Sequence, residues 1–77
     1  MIFAGIDIGS ITAKAALIRD NTLLAAVVEK TGYDHVAAAD RVFERALAQA
    51  GQQREDVAAI VSTGYGRASV AFADRSM

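Results

Sequence analysis

The stretch that decides the fold is Gly5-Ile6-Asp7-Ile8-Gly9-Ser10-Ile11-Thr12-Ala13-Lys14. It continues an apolar run that begins at Ile2, and such a run is typical of a strand buried on both faces of a sheet. Asp7 interrupts the run at its carboxyl end, where a carboxylate costs free energy unless a cation or hydrogen-bond donors reach it. Gly9-Ser10 then turns the chain. The pattern predicts a strand that leads into a hairpin tip with a carboxylate beside it.

Two more apolar runs follow, at residues 13–19 and 23–28. Asp20-Asn21 separates them, and both residues are common in turns. Short connections between three such runs predict an antiparallel meander. The chain contains no proline, so nothing prevents these strands from pairing inside a sheet.

A helix is predicted over residues 36–50, because the apolar residues recur there at steps of three and four. Asp34 is a suitable N-cap, and Gly51 is a suitable stop. The side chains of the predicted core-facing stripe are those of Val36, Ala39, Phe43, Leu47 and Ala50.

A fourth strand is predicted at residues 57–62, and residues 69–73 alternate well enough to form a fifth extended segment. The helix would cross over from the meander to the fourth strand and place it parallel to the first, in a right-handed connection. The predicted fold class is α/β with sheet order 3-2-1-4. Because the helix covers only one face, we expect residues 1–77 to be the N-terminal portion of a larger domain.

The composition is that of an ordinary globular protein: 77 residues, 53% hydrophobic and 22% charged, with a net charge of -1. The basic residues are spread along the chain, which argues against a nucleic-acid partner. No cysteine is present, which fits a reducing compartment. The sequence also lacks a signal peptide and an apolar stretch of the ~20 residues that a membrane span needs. We therefore expect a cytoplasmic protein without a membrane anchor.

The hairpin tip has the residues of an anion-binding loop. Gly9 lets the backbone approach a ligand closely, and Ser10 and Thr12 add hydroxyl groups and amides. Lys14 supplies a positive charge, and Asp7 would reach phosphates through Mg²⁺ or its coordinated water. From the residue types alone, a plain hairpin turn with a solvated aspartate explains the segment equally well. The tip is neither a Walker A loop nor a Gly-x-Gly-x-x-Gly motif.

The first motif, Gly5 to Ser10 with Thr12 and Lys14, resembles the first phosphate motif of the actin, heat-shock-chaperone and sugar-kinase superfamily. Together with Ser62-Thr63-Gly64-Tyr65-Gly66-Arg67 and Phe72-Ala73-Asp74, it is similar to the activator ATPases of 2-hydroxyacyl-CoA dehydratases. The ATPase subunits of benzoyl-CoA reductase belong to the same group. The motifs span nearly the whole chain.

This resemblance implies a ribonuclease-H-like (actin-like ATPase) fold whose first hairpin holds the phosphates of ATP. By analogy, Asp7 is the catalytic residue and positions Mg²⁺ through water. The implied phosphate contacts are Gly9, Ser10, Ile11, Thr12 and Lys14, and the implied additional ligand contacts are Gly64, Tyr65, Gly66 and Arg67. Ile11 departs from the pattern, since relatives often carry threonine there. Without the resemblance, the segment around Tyr65 is better explained as a turn.

The resemblance also implies a parent protein that is a homodimer, or part of a hetero-oligomer, with a shared four-iron four-sulfur cluster. Its ATP hydrolysis would push a low-potential electron into a CoA-ester dehydratase or reductase. The present residues lack a cysteine for the cluster, a second phosphate motif and an adenosine pocket, so we expect the 77 residues alone to be inactive. The alternatives are a fragment of a carbohydrate or small-acid kinase of the same superfamily and a non-enzymatic interaction module.

Overall fold

Three strands, a helix and a fourth strand follow one another in the predicted order. The computed structural model describes residues 1–64 and 74–76. The elements are β1 (Ile2–Ile8), β2 (Thr12–Arg19), β3 (Thr22–Lys30), α1 (His35–Ala50), a 3-10 turn (Arg54–Asp56), β4 (Val57–Thr63) and β5 (Arg75–Ser76). They form one sheet in the order β3-β2-β1-β4-β5, with α1 packed on one face.

The strand pairing confirms the predicted meander and crossover. β1 is antiparallel to β2, β2 is antiparallel to β3, and β1 is parallel to β4. Asp20 and Asn21 both adopt positive φ, 47° and 69°, which is the signature of a type I′ hairpin turn. The short strand β5 was not predicted and lies parallel beside β4. The predicted segment at residues 69–73 lies outside the described residues.

Helix α1 ends where predicted and begins one residue earlier, at His35, directly after the predicted N-cap. The side chain of Asp34 accepts a hydrogen bond from the N–H of Ala37 at 3.0 Å, and the N–H of Gly51 returns to the carbonyls of the last turn. One residue of the predicted stripe is wrong: Val36 is 54% exposed. At 100° per residue Val36 points between the buried Phe43 and Leu47, so its exposure comes from its place in the first turn of α1 and not from its angle. The buried residues are Ala38, Ala39, Val42, Phe43, Ala46 and Leu47.

The face of the sheet away from α1 is open. Phe3 is 48% exposed and Ile18 is 43% exposed on this face, whereas their neighbours Ile2, Ala4 and Leu17 are buried beneath α1. This is the outcome predicted for a single crossover helix, since α1 covers one side of β1 only. Burial of the other side of β1 stays a prediction for the larger domain. None of the helices in the described part of the chain is long and apolar enough to cross a membrane.

Side chains of α1 also bind strand β3. Glu29 accepts hydrogen bonds from Nε of Arg41, at 2.7 Å, and from Nη1 of Arg45. Arg41 donates a second bond from Nη2 to the carbonyl of Lys30 at 3.1 Å, and the N–H of Ala26 donates to Oε1 of Gln49 at 2.9 Å. These contacts fix the outer strand of the meander to the helix.

The two arginines give a prediction for acid stability. The hydrogen bonds from Arg41 and then Arg45 lower the pKa of Glu29 below its ordinary value. A lowered pKa means that this carboxylate stabilises the fold above its unfolded-state pKa, near pH ~4, and that the contribution is lost as the pH falls through the lowered value. We expect Glu29→Gln to destabilise the chain at neutral pH, with a difference that shrinks towards zero in strong acid. Urea unfolding across pH measures it.

The matched control for this prediction is Glu55→Gln in the 3-10 turn. Glu55 is exposed, and no salt bridge within residues 1–64 and 74–76 includes it. Its variant should follow the wild type at every pH. A constant difference between Glu29→Gln and wild type down to strong acid would contradict the electrostatic role of Glu29.

Candidate functional site

Asp7 occupies the carboxyl end of β1, on the open side of the sheet. In the strand registers it lies between Lys14 of β2 and Thr63 of β4. Asp7 is half-buried, whereas Lys14 and Thr63 are exposed. In the described part of the chain, no salt bridge within 4.0 Å joins Asp7 to Lys14. The carboxylate therefore lies between a cation and a hydroxyl in the strand registers and forms no salt bridge with Lys14.

Gly64 brings the second sequence motif against the first. Its φ is +93°, which disfavours any residue with a side chain. A Cβ atom at this position would overlap Oδ1 of Asp7 and would lie 2.8 Å from the carbonyl oxygen of Ile8. The backbone of Gly64 therefore packs directly on the Asp7 carboxylate, and only glycine leaves room for it.

The hairpin tip between β1 and β2 is closed by a backbone hydrogen bond from the N–H of Gly9 to the carbonyl of Thr12, at 2.8 Å. A Cβ atom on Gly9 would lie 3.1 Å from that same carbonyl oxygen, so the turn is tight at this point. Ser10 and Ile11 are exposed, Ile11 by 76%, and Thr12 is half-buried. The predicted phosphate-contacting residues therefore lie next to one another at one end of the sheet, with Lys14 two residues beyond Thr12 along β2.

Thr31 is a residue of this region that the sequence reasoning missed. Its side chain is only 1% exposed, and its Oγ1 donates to the carbonyl of Gly9 at 2.8 Å. Its N–H donates to the carbonyl of Ile11 at 2.9 Å. The available signal was topological: the end of the third strand of a meander returns to the tip between the first two.

A shallow depression of about 360 Å³ extends from Asp7 along the open face. Its floor is formed by small residues that stand side by side in the register, Gly5, Ala16 and Ala26. Asp7 and Lys14 also line it. The acidic end of β1 is therefore accessible from the open face of the sheet as well as from the hairpin tip.

The remaining predicted site residues, Tyr65, Gly66 and Arg67, lie outside the described residues. Asp74 of the third motif is described, and it binds the middle of β4. Its N–H donates to the carbonyl of Ile60 at 2.8 Å, and its Oδ2 accepts from the N–H of Ile60 at 2.7 Å. Asp74 thus returns the chain to β4, whose end carries Gly64.

The residues of the site suit Mg²⁺ with a phosphate ligand better than they suit a metal held by protein alone. Within residues 1–64 and 74–76, no group of three or more histidine, cysteine, aspartate or glutamate side chains could hold a metal ion. Mg²⁺ typically keeps several waters and binds one or two carboxylates plus substrate phosphates, which a single half-buried Asp7 can satisfy. An iron–sulfur cluster does not fit, since the chain has no cysteine to supply a thiolate.

Comparison with known proteins identifies the family to which this site belongs. Residues 4–77 match the BadF/BadG/BcrA/BcrD ATPase family. The chain belongs to this ATPase family. Over its whole length it is 33% identical to the activator of lactoyl-CoA dehydratase from Anaerotignum propionicum, of which it covers 30%. The predicted resemblance to dehydratase activators is thereby confirmed.

Solved structures agree with this assignment. The chain matches component A of (R)-2-hydroxyglutaryl-CoA dehydratase from Acidaminococcus fermentans with a TM-score of 0.92 and 30% identity. It matches the activator of 2-hydroxyisocaproyl-CoA dehydratase from Clostridium difficile, solved with bound ADPNP, with a TM-score of 0.88 and 31% identity. The chain is fully covered in both cases but spans only about 30% of each relative. The actin-like ATPase fold class is confirmed.

Proposed function

We propose that residues 1–77 are the N-terminal portion of an ATP-binding and ATP-hydrolysing activator of a 2-hydroxyacyl-CoA dehydratase. The family match, the names of the relatives and the ADPNP in one of them support the proposal. The observation that carries it is the packing of Gly64 on the Asp7 carboxylate beside the hairpin tip. This contact brings Gly64 of the second motif to Asp7 of the first motif at the carboxyl ends of β1 and β4. Ligands of open α/β sheets bind outside the carboxyl ends of the strands.

In this proposal the hairpin tip binds the β- and γ-phosphates of ATP. Gly9 lets the backbone approach, and the amides and hydroxyls of Ser10 and Thr12 donate to phosphate oxygens. Ile11 contributes its backbone alone, because its side chain has no hydroxyl. Lys14 supplies positive charge from the neighbouring strand.

Asp7 is the proposed ligand of Mg²⁺ through a coordinated water. When bound, the ion would neutralise the charge that develops on the phosphates. Asp7 would orient the water between carboxylate and metal, and Gly64 keeps the space that the carboxylate occupies. Tyr65, Gly66 and Arg67, which continue the motif from Gly64, are proposed as further ligand or partner contacts.

The second phosphate motif, the adenosine pocket and the cluster-binding cysteines are proposed to lie in a part of the protein beyond these residues. The complete protein is proposed to be a cytoplasmic homodimer, or part of a hetero-oligomer, with a shared iron–sulfur cluster. ATP hydrolysis would then drive a low-potential electron into a 2-hydroxyacyl-CoA dehydratase, or into a benzoyl-CoA reductase as the related alternative.

The proposal is tested by adding the complete, reduced protein and Mg-ATP to a 2-hydroxyacyl-CoA dehydratase and measuring dehydration together with release of inorganic phosphate. An activator releases phosphate and makes dehydration depend on ATP. Transfer of the phosphoryl group to a sugar or a small acid would instead identify a kinase. An interaction module would neither hydrolyse nor transfer phosphate, and either of these results would overturn the proposal.

For the 77-residue chain alone, we expect no measurable ATP hydrolysis. The hairpin would contact the phosphates from one side only, and catalysis of phosphoryl transfer depends on groups that surround the transferred phosphate. Phosphate release by the chain and by the complete protein, assayed side by side at equal concentration, is the measurement. Turnover by the chain that approaches that of the complete protein would show that these residues form a self-sufficient site.

A further inference from the structure

We propose that Thr31 is a positioning residue that aims the backbone N–H groups of Ser10 and Thr12 at the phosphates of the bound nucleotide. This inference rests on the proposed function for the identity of the ligand. The orientation of the two amides is a property of the protein itself and can be tested without a ligand.

Thr31 holds the hairpin tip from inside the protein. It lies directly after β3, with its side chain 1% exposed, and it contacts the tip at two points. Its Oγ1 donates to the carbonyl of Gly9 at 2.8 Å, and its N–H donates to the carbonyl of Ile11 at 2.9 Å. The hydroxyl bond is separate from the strand ladder, so it depends on the side chain at this position.

These two bonds also fix the amides that follow in the chain. A peptide unit is planar, and no cis peptide bond occurs in the described residues. In a trans unit the C=O and the next N–H point in opposite directions. Because the carbonyls of Gly9 and Ile11 point towards Thr31, the N–H groups of Ser10 and Thr12 point away from it.

The arrangement suits an anionic ligand in two ways. The carbonyl oxygens of Gly9 and Ile11, which would repel a phosphate, are turned away and already bonded. The amides that remain are donors held in place before the ligand arrives, and preorganised donors of this kind bind and stabilise negative charge without further reorganisation.

The experiment compares Thr31→Val, which keeps the shape and removes the hydroxyl, with Thr31→Ser, which keeps the hydroxyl. In the complete protein we expect Thr31→Val to raise the KM for Mg-ATP about tenfold, since the half-buried Gly9 carbonyl loses its donor and the peptide unit is released. We expect Thr31→Ser to restore KM to within about twofold of wild type, while kcat changes less than KM in both. Equal KM values in the valine and serine variants would overturn the proposal.

A second measurement needs no nucleotide. In amide-resolved NMR spectra of the ligand-free complete protein, Thr31→Val should shift the Ser10 and Thr12 resonances, and Thr31→Ser should leave them near their wild-type positions. Unmoved amides in the valine variant would overturn the inference even if ATP binds. If the wild type does not bind Mg-ATP, the proposed function fails, and these spectra still decide whether Thr31 orients the loop.

If the Thr31→Val variant does not fold, a measurement on the wild type tests the proposal instead. A through-hydrogen-bond coupling between the Thr31 nitrogen and the Ile11 carbonyl carbon, together with slow exchange of the Thr31 hydroxyl proton, is the expected result. Absence of both signals in the folded wild type would overturn the proposal, since neither carbonyl would then be held.

Discussion

Asp7→Asn is expected to lower Mg-ATP hydrolysis by the complete protein by about a hundredfold or more, because the lost carboxylate is the proposed link to Mg²⁺ and a metal-held charge contributes several kcal/mol to such a transition state. The fold should be unaffected. The two side chains have nearly the same shape, and no salt bridge among the described residues includes Asp7. Phosphate release measured over a range of Mg²⁺ concentrations is the assay.

The chain offers a matched control in Asp20→Asn. Asp20 lies in the hairpin turn between β2 and β3, at φ 47°, a conformation that asparagine adopts readily. This variant makes the same chemical change away from the Gly9–Thr12 tip and should hydrolyse ATP at the wild-type rate. Near-normal hydrolysis by Asp7→Asn would refute the metal role of Asp7, whereas equal losses in both variants would indicate a general effect of removing charge.

The second large effect is expected from Gly64→Ala. A Cβ atom at a positive φ costs roughly 1–2 kcal/mol. The same atom would also overlap Oδ1 of Asp7 and press on the carbonyl of Ile8. We expect the free energy of unfolding of the chain to fall by about 2–4 kcal/mol, in the range of backbone strain combined with overpacking. Urea unfolding followed by circular dichroism measures it.

Gly51→Ala separates the two causes of this loss. Gly51 has a positive φ of 67° at the end of α1, but a Cβ atom there would meet nothing within 4 Å. Its variant reports the conformational strain alone and should lose only about 1 kcal/mol. If the two alanine variants are destabilised equally, Gly64 does not pack on Asp7 tightly enough to position it. That result would contradict the proposal that the two motifs form one site.

The parts of the fold that the sequence predicts are those encoded by local patterns. Strand β1 follows from one apolar run, the β2–β3 hairpin from Asp20-Asn21, and the helix ends from Asp34 and Gly51. The sheet order follows because a crossover between parallel strands has a preferred hand. Each of these features depends on residues close together in the chain or on a general rule of handedness.

The parts that could not be predicted depend on tertiary neighbours. Val36 lies on the buried side of α1 by its spacing, and its exposure in the first turn depends on how far along the helix the sheet reaches. Nothing in the sequence distinguishes Thr31 from an ordinary residue at the end of a strand. Its hydrogen bonds to Gly9 and Ile11 form only when β3 pairs in register with β2. The contact of Gly64 with Asp7 joins residues 57 positions apart. The sequence therefore shows both motifs but not which of their residues are in contact.

The hydrogen bonds between α1 and the outer strand have a consequence for how the protein meets other copies of itself. β3 is an edge of the sheet, and an edge with free backbone groups is a template for strand addition by another molecule. Here the N–H of Ala26 and the carbonyl of Lys30 are already bound, by Gln49 and Arg41 respectively. An incoming strand would have to displace both side chains, so Gln49 and Arg41 act as gatekeepers against edge-to-edge aggregation.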